Sequence, residues 1–192
     1  MTLIVDTETT GFPPAGRACQ LAAALYEGPR EVAAFVSVVQ VPAGVQMHPA
    51  AQEAHGMSLE WVNQVGLPAA AWVQPFIALC MAADCLVAHN LDFDFKVISA
   101  WLRDHTQPGF RAFYDLPQFC TMKAMTPIMK LPGKVPGSLK WPKLCEAYKF
   151  TTGQDLEGAH DALVDVRACA RIYNYLQNAN PSQQLPLDLN RA

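Results

Sequence analysis

An α/β domain with a mixed central β-sheet, antiparallel in its first three strands and flanked by helices, is the fold class this sequence predicts. Three observations carry the prediction. Leu3-Ile4-Val5, Ala18 to Tyr26 and Glu31 to Val41 are β-prone runs separated by turn-forming residues, as in a meander. Cys85-Leu86-Val87-Ala88 is short and wholly apolar, the pattern of a strand buried on both faces. Helical patterns follow, so strands come first and strand and helix then alternate.

Taken in order, the opening strand runs into a Pro13-Pro14-Ala15-Gly16 loop, and Glu27-Gly28-Pro29-Arg30 turns the second strand into the third, which Pro42 ends. Pro49 to Gly56 has a proline start and a glycine stop. Ser58 caps a short amphipathic piece that extends through Gln64. Ala69 to Ala83 has a helical pattern that accommodates Pro75. Asp92 to His105 is amphipathic, with Phe95, Ile98, Trp101 and Leu102 turned inward. Phe119 to Met122 is expected as an edge strand, and Thr121 to Lys130 as a helix interrupted by Pro127. Leu131 to Gly137 is a Pro- and Gly-rich loop. Ser138 to Phe150 is expected as a helix kinked or started at Pro142, and His160 to Gln177 as the longest helix.

Composition narrows the class. The chain of 192 residues reads as one domain over residues 1–178 with a tail over 179–192, long enough to bury a core. At 51% hydrophobic and 16% charged residues it is not disordered. Apolar stretches are broken before membrane-spanning length and no signal peptide is visible, so a cytoplasmic location without membrane contact is expected. The six cysteines form no CxxC pair, which excludes a zinc ribbon and leaves reduced thiols. A net charge of −3 excludes a broad basic field, but not a nucleic-acid substrate met by metal ions and a few local cations.

Three stretches place acids where chemistry would want them. In the opening strand, Asp6 and Glu8 stand two apart and so share a face. Close carboxylates repel unless a cation lies between them, and hard oxygen ligands suit Mg²⁺ or Mn²⁺. Leu86 to Asp94 carries a buried strand into an acidic helix start, and ligands gather at such carboxyl ends of strands. Gly158 to Asp165 opens a helix with His160, Asp161 and Asp165. Each alone has a plain structural reading: solvated acids at a strand end, or acids serving a helix dipole. The residues leave Asp92 against Asp94 and Asp161 against Asp165 undecided.

Together these stretches resemble the DEDDh, or DnaQ-like, 3′→5′ exonucleases, and the resemblance spans Leu3 to about Leu176. Asp6-Thr7-Glu8-Thr9-Thr10-Gly11 matches the first family motif, His89-Asn90-x-x-Phe93-Asp94 the second and His160-x-x-x-x-Asp165 the third. Glu53-Ala54-His55-Gly56-Met57 and Phe119 to Lys123 resemble subsidiary segments. The resemblance implies an RNase H-like exonuclease fold and selects Asp94 and Asp165 over Asp92 and Asp161. It implies two divalent cations, Mg²⁺ or Mn²⁺, with Asp6 bridging both, Glu8 and Asp165 completing one site and Asp94 reaching the other through water. His160 would be the general base, a role that suits imidazole chemistry. The implied activity is release of nucleoside 5′-monophosphates from the 3′ ends of single-stranded or frayed DNA, in proofreading or repair. An RNA-trimming member is the alternative, and a non-catalytic nucleic-acid-binding module the reading from another class.

Thr9, Thr10, Gly11 and Phe12 are expected to form the 3′-terminal nucleotide pocket, with Gly11 admitting close backbone approach and Phe12 either stacking on the last base or simply packing. His55 and Asn90 are, by resemblance, substrate or supporting groups. In the tail, Gln184-Leu185-x-Leu187-x-Leu189 resembles the peptide by which bacterial replication proteins bind the sliding clamp. The other reading of that tail is a loosely docked end.

Overall fold

Strand β1 (Thr2–Thr9) sits in the middle of the sheet because apolar residues occupy both of its faces for its first half. β2 (Ala18–Glu27) pairs with it antiparallel, and β3 (Arg30–Val38) pairs antiparallel with β2. On its other side β1 pairs parallel with β4 (Cys85–Ala88), which pairs parallel with β5 (Gln118–Cys120). The five-stranded order β3-β2-β1-β4-β5 is the predicted mixed sheet with an antiparallel meander at one side. The structure, a computed structural model, describes residues 1–104 and 111–179. His105 of the expected fourth helix and the clamp-like peptide Gln184 to Leu189 lie outside the described residues.

Helices cover both faces. α1 (Pro49–His55) and α2 (Leu59–Val65) follow the meander. α3 (Ala69–Ala82), α4 (Leu91–Asp104) and α5 (Arg111–Tyr114) pack Trp72, Phe76, Ile98, Trp101, Leu102 and Phe113 against Leu3, Val5, Leu21 and Leu86. The opposite face carries α8 (Ala162–Ala179), whose Ala162, Val166 and Cys169 meet Ile4, Ala22, Ala24 and Val87. The alanines of β2 let that helix lie close to the sheet. α6 (Thr121–Met129) and α7 (Leu144–Thr152) complete this layer through Met125, Ala147, Ile172 and Leu176.

Several element ends differ from the sequence expectation, each for a local reason. β3 stops at Val38, not Val41. Val39 bridges to Leu67, and Val41 N–H donates to the Asn63 side chain, so the chain leaves β2 toward α2. β5 ends at Cys120, and Met122 belongs to α6. Pro127 does not end α6, which continues to a left-handed stop at Lys130. Ser138 to Lys143 is not helical. Leu139 bridges back to Pro132, and α7 starts only after Pro142, with Glu146 accepting from the Lys143 N–H at 2.8 Å. α8 starts at Ala162 because His160 adopts a left-handed φ of 70° and the Asp161 carboxylate caps the N–H groups of Leu163 and Val164. The cysteines among the described residues are free thiols, as expected. No helix among the described residues is long and apolar enough to cross a membrane.

Candidate active site

β1, β4 and β5 run parallel, so their carboxyl ends share one edge of the sheet, and all three acidic segments meet there. Alternation along β1 puts Ile4, Asp6 and Glu8 on the α8 face and Leu3, Val5 and Thr7 on the α4 face. Asp6 stands opposite Ala22 and Glu8 opposite Gln20. An irregularity between Glu8 and Thr9 then breaks the ladder and releases the chain into the loop.

That loop is tightly tied. Thr10 N–H donates to the Arg17 carbonyl at 2.8 Å, Arg17 N–H to the Thr10 hydroxyl at 3.0 Å, and His48 N–H to the Thr10 carbonyl at 2.8 Å. The Thr9 hydroxyl donates to the Gly11 carbonyl at 2.9 Å. Thr9 and Thr10 are buried, so their hydroxyls hold the loop rather than face solvent. Gly16 is required by close approach: a Cβ there would stand 1.9 Å from the Gly11 oxygen. Phe12 at the loop tip is 82% exposed and touches Phe93 edge-on, with ring centroids 6.2 Å apart.

From β4, the chain turns through Asn90 in a left-handed conformation that asparagine tolerates, with φ 75°. Its carbonyl accepts from Phe93 N–H and starts α4. This turn swings Asp94 under the sheet edge, where it is buried and accepts from Thr7 N–H at 3.1 Å and the Thr7 hydroxyl at 2.8 Å. Asp92, on the next face, is exposed and pairs with Lys123.

From the other layer, Asp165 comes in on the first turn of α8. Its Oδ2 accepts from His160 N–H at 3.2 Å, and its Oδ1 is buried with no hydrogen-bond partner. The Gln20 side chain accepts from Ala162 N–H at 3.0 Å and so pins the start of α8 beside Glu8. Ligand atoms of Glu8, His160 and Asp165 lie within 4.8 Å of one another, with His160 exposed. Both ring nitrogens of His55 are engaged: Nδ1 accepts from Met57 N–H, so Nε2 donates to the Thr9 carbonyl at 3.2 Å. His55 therefore props the end of β1.

Four carboxyls at one edge repel each other, and burial adds to the cost. Burial raises Asp6 well above the usual carboxyl range, and the charges of Asp94, Asp165, Glu8 and Asp161 add to the rise. Burial, then Asp165 and Asp94, push Glu8 up to about 8. Asp94 is pushed by burial to about 7, against the opposing effect of its Thr7 hydrogen bonds. Burial also raises Asp165, while His160 holds it back. Such a cluster of raised acids at a strand end is the pattern of a working site. The donor set fits a hard divalent cation: Asp6, Glu8, Asp94 and Asp165 offer oxygen ligands, and the partnerless Asp165 Oδ1 lacks only a positive partner.

Sequence reasoning missed Thr7, Gln20 and Gly16. For the first two a signal existed. Gln20 is the one polar residue between Ala18 and Leu25 of an inner strand, and Thr7 is polar on the face where Leu3 and Val5 are core.

The architecture and the acid edge define a class. The sequence model of a family described as exonuclease (RNase T) matches residues 3–173, and the chain belongs to that family, within the DnaQ-like 3′→5′ exonuclease superfamily. Comparison with curated proteins finds no significant match. Among solved structures, E. coli Exonuclease I in complex with a dT13 oligonucleotide is 21% identical with a TM-score of 0.77, over 94% of this chain and 42% of that one. The same enzyme with a dA16 oligonucleotide gives 19% identity and a TM-score of 0.78, over 94% and 41%. A zinc-bound form of its complex with single-stranded DNA gives 22% and 0.73, over 94% and 41%. The fold is thus that of an exonuclease domain, and the chain spans less than half the length of these structures.

Proposed function

We propose that the protein is a metal-dependent 3′→5′ exonuclease that hydrolyses phosphodiester bonds of single-stranded or frayed DNA and releases nucleoside 5′-monophosphates, in proofreading or repair. The convergence of Asp6, Glu8, Asp94 and Asp165 on one sheet edge is the observation that carries this reading. Asp6, Glu8, Asp94 and Asp165 would together hold two divalent cations, Mg²⁺ or Mn²⁺. Bound divalent ions would supply Lewis-acid polarisation of the phosphate and a more acidic attacking water.

The chain itself does the rest. An exposed His160 beside Glu8 and Asp165 is positioned to accept the proton of that water on an imidazole nitrogen. Thr7 holds the Asp94 carboxylate in one orientation through two donors. Backbone of the tied Thr9-Thr10-Gly11 loop would line the terminal nucleotide, with Phe12 stacking on its base and Asn90 as a further substrate or supporting group. His55 acts through the Thr9 carbonyl, as a positioning residue.

The family likeness supports DNA through the oligonucleotides bound to E. coli Exonuclease I. RNA is the alternative substrate, and a non-catalytic binding module the alternative class. A time course on matched 5′-labelled DNA and RNA oligonucleotides with Mn²⁺ tests both. A descending ladder from DNA, absent in Asp6→Ala, is expected; no product from either strand would leave the binding module standing. Retention on an immobilised sliding clamp, compared with a chain lacking Gln184 to Ala192, tests the tail.

A further inference from the structure

The segment joining α6 to α7 carries charge and aromatic surface that the acid cluster does not use. Residues 130–143 hold Lys130, Lys134, Lys140 and Lys143 and no acid, four of the seven lysines of a chain whose net charge is −3. Lys140 pairs with Glu146 at 2.5 Å, whereas no ion pair among the described residues engages Lys134 or Lys143. Between these lysines Trp141 is 61% exposed, although a tryptophan side chain is ordinarily among the most buried by area.

This surface is fixed in place. Residues 131–140 close on themselves: Lys140 N–H donates to the Leu131 carbonyl at 2.9 Å and Gly133 N–H to the Ser138 carbonyl at 2.9 Å. Pro142 is buried while its neighbours Trp141 and Lys143 are exposed. Its carbonyl accepts from His89 Nε2 at 2.9 Å, and His89 Nδ1 lies 2.9 Å from the Thr121 hydroxyl. A carbonyl can only accept, so Nε2 carries the hydrogen, and in the neutral ring Nδ1 receives the Thr121 proton. His89 follows β4 directly and precedes Asn90, and Thr121 follows β5. The strut therefore ties Pro142, and with it the adjacent Trp141 and Lys143, to the strand ends that carry the acids.

We propose that residues 130–143 form a track for the single-stranded nucleic acid behind its 3′ end, with Trp141 as a base-stacking surface and Lys134 and Lys143 as phosphate contacts. The inference rests on the nucleic-acid reading above. An aromatic face flanked by lysines, with Lys134 and Lys143 in no ion pair among the described residues, is the chemistry that holds a strand without reading its sequence. The chain's own tail is a poorer occupant, since residues 180–192 hold one aspartate and one arginine and offer no net charge to the lysines.

Fluorescence anisotropy of 5′-fluorescein oligodeoxythymidylates, about four and about sixteen nucleotides long to span the usual site sizes, tests the track. The full chain is used in EDTA across a salt series, so binding is read without hydrolysis. Trp141→Ala is expected to weaken the longer strand by about 5- to 150-fold, and the shorter strand less. Lys134→Gln with Lys143→Gln is expected to reduce the slope of log affinity against log salt by about 1.4, two phosphates at about 0.7 each. Trp61→Ala, an exposed tryptophan on α2, is the matched control and leaves both affinities unchanged. Wild-type affinity and salt slope in the track variants overturn the inference, as does an equal loss in Trp61→Ala. Unchanged oligonucleotide binding with a Trp141→Ala shift in sedimentation would make the surface a contact between copies, and also overturns it. Track-dependent binding without hydrolysis by the wild type under Mn²⁺ sinks the exonuclease reading and leaves the track. Hydrolysis without track-dependent binding does the reverse.

Discussion

Asp94 and Asp165 reach the same cluster from opposite layers of the sandwich, and their surroundings differ in kind. Asp94, on α4, receives two donors from Thr7 on one of its oxygens. Asp165, on α8, receives a single backbone N–H on Oδ2, and its Oδ1 is buried without a partner. The α4 side holds its carboxylate with protein groups. The α8 side, with Glu8 nearby, leaves a buried carboxylate oxygen that no protein donor meets. One half of the edge is thus held by protein donors, and in the proposed reading the other depends on cations to offset its charge.

Asp6→Asn attacks that dependence at its centre and carries the largest expected effect. It removes an acid that burial, and then the charges of Asp94, Asp165, Glu8 and Asp161, raise well above the usual carboxyl range. Hydrolysis should fall by more than about 100-fold, beyond the loss expected when only a ligand's supporting group is removed. Metal-free thermal stability should rise at the same time, by about 2–4 °C for each kcal/mol of relieved repulsion in a chain of this size. Lower stability together with lost activity would mean that the edge is not held under repulsion.

Acid titration separates the same two contributions in the unmodified chain. Glu8 is raised from 4.5 to about 8 and Asp94 from 3.8 to about 7. An acid raised by folding ionises less readily in the folded chain than in the unfolded one. Its contribution is full below the unfolded pKa and is lost as pH rises through the folded one. In EDTA the melting temperature should therefore decline from about pH 4.5 to about 8. Mn²⁺ should recover most of the loss at the upper end, where it binds ionised ligands. A melting curve in EDTA that climbs across this window would contradict the raised acids.

The apolar and acidic parts of the pattern were legible because they are local. Leu3 to Glu8 announces a buried strand and two acids on one face, and the segment around Asp94 announces a second strand end. Selecting Asp94 over Asp92 needed the family resemblance; in the structure Thr7 supplies donors to a buried Asp94, whereas Asp92 is exposed and pairs with Lys123. Contacts across long sequence separation were not legible. Gln20 to Ala162 and His89 to Pro142 join residues that no periodicity relates. The start of α8 was misjudged by two residues because the left-handed turn at His160 is not a glycine. Of the two readings of Ser138 to Phe150, a helix kinked at Pro142 fails because Leu139 bridges back to Pro132, whereas a start at Pro142 falls within two residues of α7.

Thr7→Val tests whether the Asp94 side depends on its donors. The substitution keeps strand preference and shape but removes the hydroxyl, leaving Asp94 with backbone donors alone. Groups that orient a metal ligand typically contribute 10- to 100-fold, so a loss of about that size in hydrolysis is expected, with Thr7→Ser restoring it. Equal activity in Thr7→Val and wild type would show that backbone donors alone suffice.

Asp161→Ala should have the smallest effect, and it discriminates between the two acids of the third segment. Asp161 is exposed and bonds the N–H groups of Leu163 and Val164, the geometry of a helix cap. Its loss should cost about 1 kcal/mol, or about 2–4 °C of melting temperature. Hydrolysis should fall by less than the roughly 10-fold floor for groups that orient a ligand. Asp165→Ala should instead remove activity while changing metal-free stability little, because the carboxyl it deletes is already an unfavourable one. Should Asp161→Ala prove as inactive as Asp165→Ala, the cap is also a ligand, and the α8 side of the edge holds its cation with one more acid than its buried geometry assigns.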